Sequence, residues 1–240
     1  MMKISYPTKA ATAVNPLKKF LARSLIPLAA TGFILGLTAC GEHQAEHKAV
    51  YLLVDTSGTY TEELTKAQAI INYLLANLDS GDSLAVARID SGSFSEKDII
   101  AKTTFDMRPS AANDQKRQFK LAIDQFARQL KRGSANTDIT GGVLQATQYL
   151  NETEALNKYV FIFSDLEEDL PHDHIRDFPI SLDNIHVVAL NVTKLRSDNI
   201  DPRDYLNRLA NWQNRVVEGG GDWRVLNDLE RMDKLIVANE

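Results

Sequence analysis

Hydrophobic residues follow two different patterns between about residue 48 and residue 237. Short, continuous apolar runs predict buried strands, and segments in which apolar residues recur every three or four positions predict amphipathic helices. The predicted strands are 49–55, 83–90, 98–105, 159–165, 184–192 and 223–226. The predicted helices are 61–78, 112–132, 139–150, 201–216 and 228–237.

The order of these elements predicts the fold. Residues 91–97, between the second and third strands, are too few for a crossover helix, so these two strands are expected to be antiparallel, with the third at an edge. Helices separate most of the other strands, which favours parallel pairing. The sequence therefore predicts a three-layer, doubly wound α/β domain with a mostly parallel sheet and one antiparallel edge strand, at residues 49–240.

Two of the apolar strands end in a carboxylate, at Asp55 and at Asp165. Ligand sites of open α/β sheets lie where the carboxyl ends of neighbouring strands meet, so these side chains are expected at one crevice. Ser57 and Thr59 follow the first aspartate, and Thr137 lies at the start of a predicted helix. Carboxylate and hydroxyl oxygens suit a hard cation such as Mg²⁺. The alternative interpretation of the first turn is a strand end with a Ser/Thr helix cap.

With these residues in this order, the chain resembles the von Willebrand factor A family over roughly residues 48–237. The metal-ion-dependent adhesion site of that family consists of an Asp-x-Ser-x-Ser motif, a distant threonine and a distant aspartate. The chain offers Asp55-Thr56-Ser57-Gly58-Thr59, then Thr137, then Asp165. It departs from the pattern at two positions, since Thr59 stands where serine is usual and Leu166 stands where a glycine is common.

The resemblance implies a binding function without a chemical step. Ser57, Thr59 and Thr137 are expected to be neutral ligands of Mg²⁺, or of Mn²⁺ or Ca²⁺. Asp55 and Asp165 are expected to complete the metal site, often through bound water. The ion would keep much of its charge and one open position, which a carboxylate of a protein partner can fill. The resemblance thus implies an adhesion or binding protein and not an enzyme.

Two other interpretations of the site stay open. In the first, the site is degenerate and free of metal, and the protein is a structural lipoprotein. In the second, Asp55 and the acidic run at 165–169 loosely resemble the haloacid dehalogenase phosphatases. That family requires an aspartate two positions after its nucleophile, where Ser57 stands, so the general acid of such an enzyme is missing.

Several residues near the candidate site have an ordinary structural interpretation. Asp138, a less certain member of the site, is interpreted as the cap of the helix that follows it. Thr140 is a second candidate for the distant hydroxyl. The acidic residues 167–169 are interpreted as a solvated loop, and His172 and His174 as solvated side chains.

The first 39 residues have the pattern of a bacterial signal peptide. Residues 1–23 carry five basic and no acidic residues, and an apolar core of 14 residues follows at 24–37, which is short for a transmembrane helix. Leu37-Thr38-Ala39-Cys40 resembles the lipobox of bacterial lipoproteins, which implies cleavage before Cys40 and acylation of this cysteine. The predicted organisation is a signal peptide at 1–39, a lipidated cysteine and short tether at 40–48, and the domain at 49–240.

The charge of the remaining chain limits its partners. Beyond residue 39 there are 22 basic and 32 acidic residues, a net charge of −10. So acidic a chain is a poor ligand for nucleic acid or anionic lipid. The expected membrane contact is therefore the acylated Cys40. Gly41 follows it where an aspartate would resemble an inner-membrane retention signal, so the expected location is the outer membrane, facing the periplasm.

Overall fold

Six strands and four helices make up the regular part of the computed structural model, which describes residues 46–58, 63–130, 133–170, 172, 175–176, 178–228 and 236. The strands are β1 (Lys48–Asp55), β2 (Ser83–Ile89), β3 (Ile99–Thr104), β4 (Asn157–Phe163), β5 (Ile185–Leu190) and β6 (Asp222–Leu226). The helices are α1 (Leu64–Asn77), α2 (Pro109–Gln129), α3 (Ile139–Glu152) and α4 (Pro202–Glu218). Single 3₁₀ turns lie at Glu96–Asp98 and Ser197–Asn199.

The strands form one sheet in the order β3-β2-β1-β4-β5-β6. All neighbouring pairs are parallel except β2 and β3, which are antiparallel, and β3 is an edge strand. The predicted fold class is therefore confirmed as a mostly parallel, doubly wound sheet with one antiparallel edge.

β1 lies near the centre of the sheet, with a parallel strand on each side. Its side chains alternate between the two faces, which explains why a continuous apolar run is required. Val50 and Leu52 pack into a core cluster with residues of α1 and α2. Tyr51 and Leu53 pack into a second cluster with residues of α3 and α4. The two helical layers thus bury both faces of β1. Its last residue, Asp55, lies at the carboxyl end of the parallel strands.

Two features differ from the sequence prediction, and a third concerns a connection for which no element was predicted. α2 begins at Pro109, three residues before the predicted start, because proline is well tolerated in the first turn of a helix. β4 ends at Phe163, so Asp165 lies two residues beyond the strand and not at its end. The connection from β4 to β5 carries no helix among its described residues. Leu166, Ile180 and Leu182 of this connection instead pack directly into the core with α3 and α4.

Other predictions fall on parts of the chain that are not described. The signal peptide, Cys40 and the tether up to residue 45 lie outside the described residues, as do Thr59, His174 and most of the last predicted helix. Within the described residues, none of the helices combines the length and the apolar character that a membrane crossing requires.

Candidate functional site

Asp55 is the last residue of β1 and is almost completely buried, with 1% of its surface exposed. Its Oδ1 accepts a hydrogen bond from the backbone N–H of Ser57 at 2.7 Å. Its Oδ2 accepts one from the hydroxyl of Ser164 at 2.7 Å. The side chain of Ser57 also forms a hydrogen bond with this carboxylate. The Asp55 carboxylate is thus fixed both by its own turn and by the end of the neighbouring strand.

Asp165 reaches the same edge of the sheet, since β4 is the direct neighbour of β1. It is buried, with 4% of its surface exposed. Its Oδ1 accepts the backbone N–H of Glu167 at 2.9 Å, which forms the same kind of turn as the one after Asp55. The hydroxyl oxygen of Ser164 accepts the N–H of Leu166 at 3.0 Å. Side-chain oxygens therefore shape both turns of the loop that follows β4.

The backbone conformation of Leu166 is one that glycine adopts more easily than other residues. Its φ of 66° lies in the left-handed region, where a side chain beyond glycine costs about 1–2 kcal/mol. The side chain is 2% exposed and packs into the core on the side of α3 and α4. Its carbonyl oxygen accepts a hydrogen bond from Nε1 of Trp212 at 3.3 Å. Burial and this contact offset the backbone strain, so Leu166 holds the left-handed conformation that a glycine would adopt more easily.

Residues 133–138 form a third loop, which is joined to both of the others. Ser134 donates its N–H to the carbonyl oxygen of Thr56 at 2.7 Å. Gly133 approaches the turn after β1 so closely that a Cβ would lie 2.6 Å from its backbone. Thr137 exchanges two backbone hydrogen bonds with Asp169, of 2.8 and 3.0 Å. The third loop thus brings Thr137 to the edge that carries the two aspartates.

The two less certain candidates have other partners. Asp138 is fully buried and caps α3 by accepting the N–H of Gly141 at 2.7 Å, which confirms its interpretation as a cap. It also binds the guanidinium of Arg176 at 2.7 and 3.1 Å. The Thr140 hydroxyl donates to Oε2 of Glu168 at 2.9 Å, and its N–H donates to Oε1 at 2.6 Å. The interpretation of residues 167–169 as a solvated loop is therefore wrong for Glu168.

Helix α4 holds the loop after β4 from the other side. Arg208 donates to the carbonyl oxygen of Asp165 at 3.3 Å, and Trp212 donates to that of the next residue. Arg215 pairs with Glu168 at 3.4 Å. A cavity of about 970 Å³ lies between this loop and α4, and its lining includes all three of these helix residues. The sequence pattern predicted a helix at 201–216 but not these polar contacts of α4, so they were missed.

Burial dominates the electrostatics of the two aspartates. Loss of solvent raises the pKa of Asp55 above its ordinary value, although its hydrogen bonds to Ser57 and Ser164 oppose the shift. Burial also raises the pKa of Asp165 from 3.8 to about 6. The Glu167 N–H opposes this shift, and the negative charge of Asp55 adds to it. Two buried carboxylates, of which Asp55 raises the pKa of Asp165, form a favourable environment for a cation.

The chemistry of these residues fits a hard divalent cation. Asp55, Asp165, Ser57 and Thr137 offer only oxygen donors, the ligands that Mg²⁺ prefers. The described residues contain no cluster of three or more histidine, cysteine, aspartate or glutamate side chains that could hold a metal. A site here would therefore depend on hydroxyl ligands in addition to two carboxylates.

Comparisons with known proteins give similarities of structure only. No protein-family model matches the chain, and no curated protein matches it in sequence. An aerotolerance-related membrane protein from Bacteroides fragilis aligns at 15% identity and a TM-score of 0.43, over 79% of this chain and 96% of that one. BatB from Bacteroides thetaiotaomicron aligns at 14% identity and a TM-score of 0.42, over 79% and 95%. A von Willebrand factor type A protein from Catenulispora acidiphila aligns at 15% identity and 0.43, over 76% and 39%.

The strand order and the antiparallel edge strand decide the fold type. The fold is von Willebrand factor A-like. Its candidate site lies at the carboxyl edge of the parallel strands, where three loops meet, as expected for an open α/β sheet.

Proposed function

We propose that this domain binds a protein partner through a divalent cation. The proposed ligands are Asp55, Ser57, Thr59, Thr137 and Asp165, and the proposed ion is Mg²⁺, with Mn²⁺ or Ca²⁺ as substitutes. The observation that carries the proposal is the placement of Asp55 and Asp165, both buried, at one edge of the sheet. A cation would offset the cost of burying the two charges there.

The donor set explains what the ion would supply. Hydroxyl ligands are neutral, so the ion keeps more of its charge than it would among carboxylates alone. It then attracts an anionic group, and a carboxylate of the partner is the matching protein group. The residues of this chain hold the ion and position it. The proposed role is therefore adhesion or protein binding, without a reaction on a substrate.

Thermal unfolding tests the metal site. The melting temperature of the purified protein is measured with EDTA and with Mg²⁺ or Mn²⁺, for wild type, Asp55→Ala and Asp165→Ala. An ion at 100 times its Kd stabilises the folded state by about 2.7 kcal/mol, a rise of about 5 °C or more for a domain of this size. Both variants are expected to lose this rise. Asp114→Ala, which removes an exposed aspartate on α2, should keep it.

A wild type that does not respond to either ion would overturn the proposed metal site. The protein would then fit the alternative of a structural lipoprotein whose domain contacts its partner without metal. In that case, alanine at Asp55 and Asp165 should leave the cellular phenotype intact.

The proposed location is the outer membrane, on the periplasmic side, with the acylated Cys40 as the anchor. Leu37-Thr38-Ala39-Cys40 directly after an apolar core supports this proposal. Two or more acyl chains anchor a protein firmly, whereas one chain holds it only marginally. Labelling of cells with a palmitate analogue should mark the wild type and not Cys40→Ala. Release of the wild type from membranes by high salt would contradict an acyl anchor.

A further inference from the structure

Ser164 occupies a position that the sequence motif does not include. It lies between the end of β4 and Asp165, and it is fully buried. In the register of the sheet, Val54 of β1 is paired with Phe163 of β4. The next residues of the two strands, Asp55 and Ser164, are therefore side by side, although 109 positions separate them in the chain.

The hydrogen bonds of Ser164 have a defined direction. Its hydroxyl oxygen accepts the N–H of Leu166 at 3.0 Å, and a backbone N–H can only donate. An ionised Asp55 carboxylate can only accept, so the hydroxyl must donate its proton to Oδ2 of Asp55 at 2.7 Å. The serine thus connects the strained backbone of Leu166 to the carboxylate of the other loop.

Other contacts of Asp55 do not replace this connection. Its Oδ1 is held by Ser57, which belongs to the same turn. Among the described residues, only Ser164 donates a hydrogen bond to Asp55 from β4 or the loop that follows it. Without this hydroxyl, an almost completely buried carboxylate would lose the donor that the loop after β4 supplies to its Oδ2, and the two carboxylate loops would lose a direct link.

We propose that Ser164 is a positioning residue of the metal site, which acts through Asp55 and is not itself a ligand. It fixes the rotamer of Asp55 and couples it to the turn that carries Asp165. This inference rests on the proposed metal site. Residues that orient metal-binding carboxylates in this way typically change metal affinity by about 10–100-fold when they are replaced.

Mn²⁺ titration followed by the EPR signal of the free ion tests the proposal, because it measures affinity independently of melting temperature. The purified full-length protein is compared with Ser164→Ala and Ser164→Thr. The alanine variant should bind Mn²⁺ at least about tenfold more weakly. The threonine variant keeps the hydroxyl and should restore affinity to within about threefold of wild type. Should the alanine variant fail to fold, Ser164→Cys takes its place, because a thiol is a weak donor of similar size.

Ser83→Ala is the matched control. Ser83 is 3% exposed in β2, and its hydroxyl is within 2.8 Å of that of Thr104, so this variant also loses a buried serine hydrogen bond. It should bind Mn²⁺ as wild type does. A wild type that binds Mn²⁺, an Asp55→Ala that does not, and a folded Ser164→Ala of unchanged affinity would overturn the role of Ser164 alone. A wild type without Mn²⁺ affinity would overturn the metal site and this inference together.

Discussion

The loops after β1 and β4 each carry a buried aspartate, but they are stabilised in different ways. Asp55 ends its strand, and the turn that follows bonds back to it within two residues. Asp165 lies beyond its strand, in a loop that contains a left-handed leucine and is held by α3 and α4. Both turns have a local hydrogen bond to the aspartate, and the second loop is held in addition by the helices α3 and α4.

The largest expected effect comes from replacing the tryptophan of α4 that supports the second loop. Trp212→Ala should destabilise the domain by about 4 kcal/mol, because the ring is 4% exposed and its N–H holds the loop. Hydrogen exchange should accelerate at residues 164–169 more than at residues 56–58. The half-buried Trp223 is the control, and its replacement by alanine should cost less stability. Equal acceleration in both loops would show that α4 does not distinguish between them.

A pH titration tests the raised pKa of Asp165, the buried aspartate of the second loop. The folded-state pKa of Asp165 is about 6, above its ordinary value of 3.8, so the folded protein holds this proton more tightly than the unfolded chain. This contribution to stability is complete below about pH 4 and is lost as the pH rises through 6. With EDTA present, wild type should lose about 2 kcal/mol relative to Asp165→Asn between pH 4 and pH 7. A constant difference between the two proteins would contradict the raised pKa.

Replacing the two neighbouring glutamates of the second loop should reduce the free energy of unfolding by clearly different amounts. Glu168→Ala removes both hydrogen bonds to Thr140 and should cost about 1.5 kcal/mol in urea unfolding. Glu167→Ala removes a side chain that is 56% exposed and lies 3.5 Å from Arg208, so its cost should stay below about 0.5 kcal/mol. Similar losses for both variants would mean that the contact with α3 does not hold the loop.

The same contrast explains which features the sequence could predict. The order of strands and helices along the chain and the first turn follow from apolar runs and from residues two positions apart, which a reader of the sequence can recognise. Ser164 was missed because its partner Asp55 is 109 positions away and becomes its neighbour only through the register of β1 and β4. The core packing of the connection to β5 was missed because its residues reach the core singly, without a helical period.

The smallest expected effect tests the strain in the second loop directly. At Leu53, inside β1, the Gly variant should be less stable than the Ala variant by about 0.5–1 kcal/mol, the usual cost of glycine in a strand. At Leu166, with a φ of 66°, the order should reverse, and Leu166→Gly should be more stable than Leu166→Ala by about 1 kcal/mol. Both side chains are buried, so truncation is costly at either position and only the difference between Gly and Ala is informative. Urea unfolding of the four variants measures it. If alanine were favoured at both positions, the left-handed turn after Asp165 would not be a source of strain, and the contacts from α4 would have nothing to offset.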